Sequence, residues 1–175
     1  MGPNAIGRRR FLIGAGAALG ALALPRGAFG QAPAALPEAT RRALETSPLV
    51  YVSPLAADGR ESTCHGEVWY FADGGDAVLA TSKDSWKVRA LAKGRDRARL
   101  WFGDFGRYRS WRDQLSSAPF CDARARLDPD PAVFERLLAA FAKKYPDEWD
   151  KWEPRFRAGV ADGSRVVVRY SPSIG

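Results

Sequence analysis

The sequence is poor in the side chains that build metal centres and histidine-based catalytic sites. Among its 175 residues there are one histidine, His65, and two cysteines, Cys64 and Cys121. A metal cage or a catalytic triad needs more groups than these three supply. We therefore expect no metal site and interpret His65 as an ordinary strand residue, with a functional role as the alternative. The two cysteines form either a disulfide or two buried free thiols, and their spacing does not decide between these.

An excess of positive charge is present, but much of it lies outside the part of the chain that we expect to fold. The net charge is +7. Residues 1–30 contain four arginines and no acidic residue, and without these four arginines the net charge is +3. Such a modest balance is ordinary for a soluble protein. The composition gives little electrostatic support for nucleic-acid binding, so we expect no nucleic-acid partner.

The N-terminus has the composition of an export signal. Arg8-Arg9-Arg10-Phe11-Leu12 matches a twin-arginine pattern, and an apolar run rich in glycine, alanine and leucine follows. Ala28-Phe29-Gly30 places small residues where a signal peptidase cuts, which predicts cleavage before Gln31. We expect residues 1–30 to be a twin-arginine signal peptide and residues 31–36 a leader. The mature protein is then periplasmic or secreted, without a stable membrane span. An uncleaved anchor is the alternative, although the run is short for a span.

From residue 37 onwards, strand patterns alternate with turn signals and a few helical patterns. Asp58-Gly59 and residues 73–76 predict tight turns, which join neighbouring strands in antiparallel order. An antiparallel sheet of six or seven strands must curl or be covered, so we predict a small, mainly β barrel over residues 37–172. The strands are predicted at 49–55, 61–71, 77–81, 97–103, 120–127 and 164–170, and the helices at 37–45, 84–93, 132–145 and 147–158.

The stretch from Ala77 to Leu91 combines an apolar strand, a loop and the start of a short helix. The loop offers several hydroxyls, free backbone amides and one positive charge, a combination that favours a bound anion. The sequence therefore predicts a phosphate-binding loop. The alternative is a plain strand-to-helix turn in which Ser85 or Asp84 caps the helix. The candidate residues of the loop are Thr81, Ser82, Ser85 and Lys87.

Several other side chains are expected to have structural roles. In the helix at 84–93, the spacing of apolar residues places Lys87 on the solvent side. The carboxylates of Asp122, Asp128 and Asp130 are expected in turns and helix caps. A group of aromatic residues is expected in the core or at a dimer interface, with stacking on a ligand ring as the alternative. Its members are Trp101, Phe102, Phe105, Tyr108 and Trp111.

The order of these elements resembles the FMN-binding split-barrel family, the pyridoxamine 5′-phosphate oxidase-like proteins, over roughly residues 37–172. The resemblance is most specific in the family's Thr-x-x-x-Ser-x-Lys frame, which Thr81, Ser85 and Lys87 match. It implies that these three side chains hold the phosphate of FMN and that Ser82 adds a polar contact. It also implies a homodimer and a flavin-dependent oxidoreductase that acts on an unidentified small molecule. The residues expected beside the flavin ring are Trp69 and Tyr70.

The sequence also departs from that family. Oxidases of pyridoxamine phosphate carry two further basic residues near the phosphate, and these positions correspond here to Gly66 and Trp86. Their C-terminal histidine and arginine pattern is absent as well, which argues against vitamin B6 oxidation. The loss of two positive charges leaves weaker FMN binding, a deazaflavin, haem, or no cofactor as alternatives. A non-catalytic protein for storage or sensing is the alternative function, and we assign no catalytic side chain.

Overall fold

The structure of the chain is a computed structural model that describes residues 35–106 and 114–173. In these ranges the chain forms one sheet of seven strands, and every neighbouring pair of strands is antiparallel. The strands are β1 (Leu49–Pro54), β2 (Gly66–Val68), β3 (Phe71–Asp73), β4 (Asp76–Ser82), β5 (Arg97–Gly103), β6 (Phe120–Leu127) and β7 (Arg165–Pro172). The helices are α1 (Glu38–Thr46), α2 (Trp86–Ala92), α3 (Pro131–Lys144) and α4 (Pro146–Ala161), with a 3₁₀ turn at Leu115–Ser117.

The order of the strands shows why the sheet is curled. The spatial order is β2-β1-β5-β6-β7-β4-β3, so β2 and β3 lie at opposite edges of the sheet. Only Trp69 and Tyr70 separate these two strands in the chain. The two edges must therefore meet, and the sheet curls into a split barrel. This confirms the predicted mainly β, antiparallel architecture.

The predicted strand at 61–71 is divided in the structure. Its first part forms β2 and pairs with β1, where Val68 lies opposite Val50. Its second part forms β3 and pairs with β4, where Phe71 lies opposite Val78. One run thus contacts both edges of the sheet, and the change of partner interrupts the strand.

Two cores lie on the two faces of the sheet. Ala77 and Leu79 of β4 face the interior of the barrel, while Val78 and Ala80 face a second core beneath α3 and α4. The predicted helix at 132–145 is confirmed as α3, with Asp130 as its N-cap. The segment predicted as a loose helix at 147–158 is a continuous helix of 16 residues, α4.

The expectation that Asp128 is a turn or cap residue is wrong. Its carboxylate is buried and accepts a 2.6 Å hydrogen bond from Nε of Arg169, which is also buried. The same guanidinium pairs with Asp73 at 2.6 Å and with Asp76 at 3.0 Å. Burial opposes ionisation of Asp128, yet its hydrogen bond with Arg169 holds its pKa below the usual value. This cluster ties β7 to the β3–β4 turn and to the start of α3.

The cysteines and the aromatic residues can be placed in part. Cys64 is exposed, Cys121 is buried, and both are free thiols. Trp101 and Phe102 are buried in β5. The predicted signal segment, most of the leader, Tyr108 and Trp111 lie outside the described residues. None of the helices in the two described ranges has the length and hydropathy that a membrane span requires.

Candidate functional site

Lys87 is buried, which corrects the expectation that it faces solvent. Only 7% of the residue is exposed. Its ammonium group lies 4.4 Å from the centre of the Trp86 ring. A Cβ placed on Gly66 of β2 would lie 3.5 Å from Nζ of Lys87. The absent side chain of Gly66 therefore leaves the space in which the ammonium group lies.

The charge of Lys87 is not neutralised by any residue that the structure describes. No hydrogen bond or ion pair to Nζ occurs in residues 35–106 or 114–173, and the Trp86 ring is its only polar or charged contact there. Burial alone lowers the pKa of Lys87 to about 8. A buried cation without a carboxylate partner is costly in free energy, and a bound anion would offset that cost.

Ser82 and Ser85 hold the loop between β4 and α2. The Ser85 hydroxyl is the N-cap of α2 and accepts a 3.4 Å hydrogen bond from the Val88 amide, as the alternative interpretation predicted. The Ser82 hydroxyl accepts a 3.2 Å hydrogen bond from the Asp84 amide. Because both hydroxyls act only as acceptors in these bonds, each keeps its O–H for donation to a ligand. Capping and ligand binding are therefore compatible.

Thr81 lines a cavity in the gap between the two edges of the barrel. If the β3–β4 pairing continued beyond Phe71, residues 67–69 would pair with residues 80–82, but they do not. A cavity of about 660 Å³ lies there instead, between Glu67–Trp69 and Ala80–Thr81. Thr81 is 7% exposed, and its hydroxyl has no hydrogen-bond partner in the described part of the chain. The volume is typical of small-molecule sites.

The two aromatic candidates differ in their surroundings. Trp69 lines the cavity, and its ring stacks on Tyr145 with centroids 4.2 Å apart and an angle of 5° between the planes. Tyr70 is completely buried, and its hydroxyl donates a 2.7 Å hydrogen bond to the carbonyl of Leu44 in α1. Trp69 thus presents surface to the cavity, whereas Tyr70 does not. A ring-binding role for either residue stays a prediction.

The structure adds wall residues that the sequence analysis did not single out. Trp152 and Phe156 lie one turn apart on α4 and line the cavity. Arg165 lies opposite Ser82 in the β4–β7 pair, and its guanidinium lies over Phe156, 5.0 Å from the ring centre. The spacing of the two aromatic residues predicted one face of a helix, but no local pattern indicated that this face meets β4. In the described part of the chain, no cluster of three potential metal ligands occurs.

Comparisons with known proteins agree with the fold. No protein-family model and no curated protein matches the sequence. The conserved hypothetical protein Rv2991 from Mycobacterium tuberculosis is 18% identical and aligns with a TM-score of 0.52, over 81% of this chain and 84% of that one. Atu2129 from Agrobacterium tumefaciens, of unknown function, is 16% identical with a TM-score of 0.51, over 82% of this chain and 59% of that one.

A third structure carries a functional description. It is a putative pyridoxamine 5′-phosphate oxidase from Listeria innocua, 14% identical, with a TM-score of 0.47 over 75% of this chain and 88% of that one. At such low identities, the likeness of the first two structures concerns the fold alone.

Proposed function

We propose that this protein binds a flavin cofactor through its phosphate, with FMN as the simplest candidate, and that it is an oxidoreductase acting on a small molecule. One observation carries the proposal. Lys87 is a buried ammonium group without a counter-charge among the described residues, and it lies beside the gap between the barrel edges.

The spacing of the groups along β2 supports a ligand with a charged end and a ring. The ammonium of Lys87 lies beside Gly66, and the cavity is lined by Glu67, Val68 and Trp69 of the same run. Three residues of a strand extend about 10 Å. The extended ribityl chain and phosphate of FMN together cover a distance of that order. A phosphate at Lys87 would therefore leave the ring beside Trp69.

Each residue of the proposed site has a specific task. Lys87 supplies the positive charge for the phosphate, and the hydroxyls of Ser82 and Ser85 donate to its oxygens. Thr81 offers a buried hydroxyl to the cavity, and Trp69 offers an apolar ring face. The flavin supplies the two-electron chemistry when bound, so the chain has to bind it, orient it and limit its contact with water.

The location and the assembly of the protein belong to the same proposal. The N-terminal sequence supports export by the twin-arginine route to the periplasm or beyond, and the family resemblance supports a homodimer. Light scattering on the purified protein measures its mass in solution and tests the dimer. Fractionation of cells that carry or lack a functional twin-arginine translocase tests the export route.

An absorption spectrum tests the cofactor. The protein is purified after expression with a functional translocase, and its spectrum is recorded before and after addition of FMN. Oxidised-flavin bands that stay with the protein through gel filtration, and that Lys87→Met loses, are the expected result. A haem-like band, or no retained chromophore, would contradict the flavin proposal. Turnover with a reduced nicotinamide and an electron acceptor then separates an enzyme from a protein that only binds the flavin.

A further inference from the structure

A second, smaller cavity adjoins the ring of Trp86. Its volume is about 190 Å³. Trp86 belongs to both regions, because its ring lines this cavity and also lies against the ammonium group of Lys87. The cavity is smaller than the roughly 300 Å³ at which drug-sized sites begin, so it suits a single phosphoryl group better than a ring system. Its lining residues are Pro54, Leu55, Ala56, Ser62, Cys64, Trp86, Arg89, Ala90, Lys93 and Arg95.

The lining of this cavity is basic. It contains Arg89, Lys93 and Arg95, and none of the lining residues that the structure describes is acidic. Arg89 donates to the carbonyl of Asp84, whereas the side chains of Lys93 and Arg95 have no hydrogen bond or ion pair in the described ranges. Gly94 between them has a φ of 73°, a left-handed conformation that ends α2 and turns the chain. The helix end thus brings two unpaired cations to one small cavity.

Lys87 by itself is poorly matched to a terminal phosphate. A phosphate monoester carries a charge of about −1.5 to −2 at pH 7. Lys87 is the one buried lysine beside the gap, and the indole of Trp86 fills the space over Gly66, since a Cβ there would lie 3.3 Å from Cζ2 of that ring. A phosphoryl group within a diester carries only one negative charge, which a single ammonium group can balance.

We infer that the cofactor continues beyond its first phosphoryl group, and that the cavity formed by Trp86, Lys93 and Arg95 binds a second phosphoryl group of a flavin dinucleotide such as FAD. The inference rests on the proposed function, because Lys87 has to hold the first phosphoryl group. The adenylate would then extend from this cavity to the surface.

The test is a comparison of affinities for riboflavin, FMN and FAD, measured by fluorescence titration. The wild-type protein should bind FAD about tenfold more tightly than FMN, from the added charge-assisted contacts. The double variant Lys93→Gln/Arg95→Gln should lose this advantage of FAD and keep the wild-type affinity for FMN. Arg42→Gln/Lys143→Gln, which removes two exposed cations from α1 and α3, is the matched control and should behave as wild type.

The outcomes separate the inference from the proposed function. If FMN binds and FAD binds no more tightly, or if Lys93→Gln/Arg95→Gln leaves the affinity for FAD unchanged, the inference is overturned and the proposed function stands. If none of the three flavins binds, both are overturned. ADP provides a probe without the flavin: its binding should persist in Lys87→Met and weaken about tenfold in Lys93→Gln/Arg95→Gln. Equal ADP binding by that double variant and the wild-type protein would also overturn the inference.

Discussion

Replacing Lys87 with methionine should stabilise the protein in the absence of a ligand. Lys87 is 7% exposed and has no counter-charge among the described residues. Burial lowers its pKa from 10.5 to about 8. Each unit of that shift corresponds to about 1.4 kcal/mol, so the charged side chain costs the folded state up to about 3 kcal/mol at neutral pH. Methionine has a similar length without the charge. Lys87→Met should therefore raise the free energy of unfolding at pH 7 by about 1–3 kcal/mol.

The pH dependence of this gain has a definite sign. The pKa of Lys87 is lower in the folded than in the unfolded chain, so the cost is complete below about pH 8. Between pH 8 and 10.5 the unfolded chain binds more protons than the folded one, and the wild-type protein gains stability relative to the variant. The difference between Lys87→Met and wild type should shrink to about 1 kcal/mol or less at pH 10.

Urea unfolding followed by tryptophan fluorescence at pH 7 and pH 10 measures both quantities. The control is Lys83→Met, because Lys83 lies in the same loop and is exposed. It should show no pH-dependent gain. A destabilised Lys87→Met at pH 7, or an equal difference at the two pH values, would refute the interpretation of Lys87 as an uncompensated buried cation. Saturating flavin should stabilise the wild-type protein and not the variant, which narrows or reverses their order.

Two further results are expected. Arg169→Met should lower the free energy of unfolding by about 3–5 kcal/mol in urea titrations, because it leaves the buried carboxylate of Asp128 without its partner. Arg124→Met, which breaks an exposed pair, should have little effect, and equal losses in the two variants would contradict this reasoning. A thiol reagent should label Cys64 in the folded protein and Cys121 only after unfolding, because burial raises the pKa of the Cys121 thiol to about 12. Rapid labelling of both thiols in the folded protein would contradict the fold.

The sequence predicts best those elements whose signals are local. The alternation in residues 97–103 and 120–127 placed β5 and β6 at their observed bounds. The Asp-Pro break at 128–131 placed the start of α3. The divided run at 61–71 could not be predicted in this way, because its interruption follows from pairing with β1 on one side and β4 on the other.

The two errors of side-chain placement have the same cause. Helical spacing put Lys87 on the outside of α2, but Gly66, more than twenty residues earlier in the chain, provides the space that buries it. Asp128 has the local context of a turn residue, but its partner Arg169 comes 41 residues later. Such pairs become visible only when the sheet brings β2 beside α2 and β7 beside the start of α3.

Recognition of the phosphate by Lys87 is the central claim, and calorimetry with FMN and riboflavin tests it most directly, because these two ligands differ only in the phosphate. The wild-type protein should bind FMN at least tenfold more tightly than riboflavin. Lys87→Met should bind both ligands with the affinity that the wild-type protein has for riboflavin. If the preference for FMN is absent in the wild-type protein, or persists unchanged in Lys87→Met, then Lys87 does not hold the phosphate.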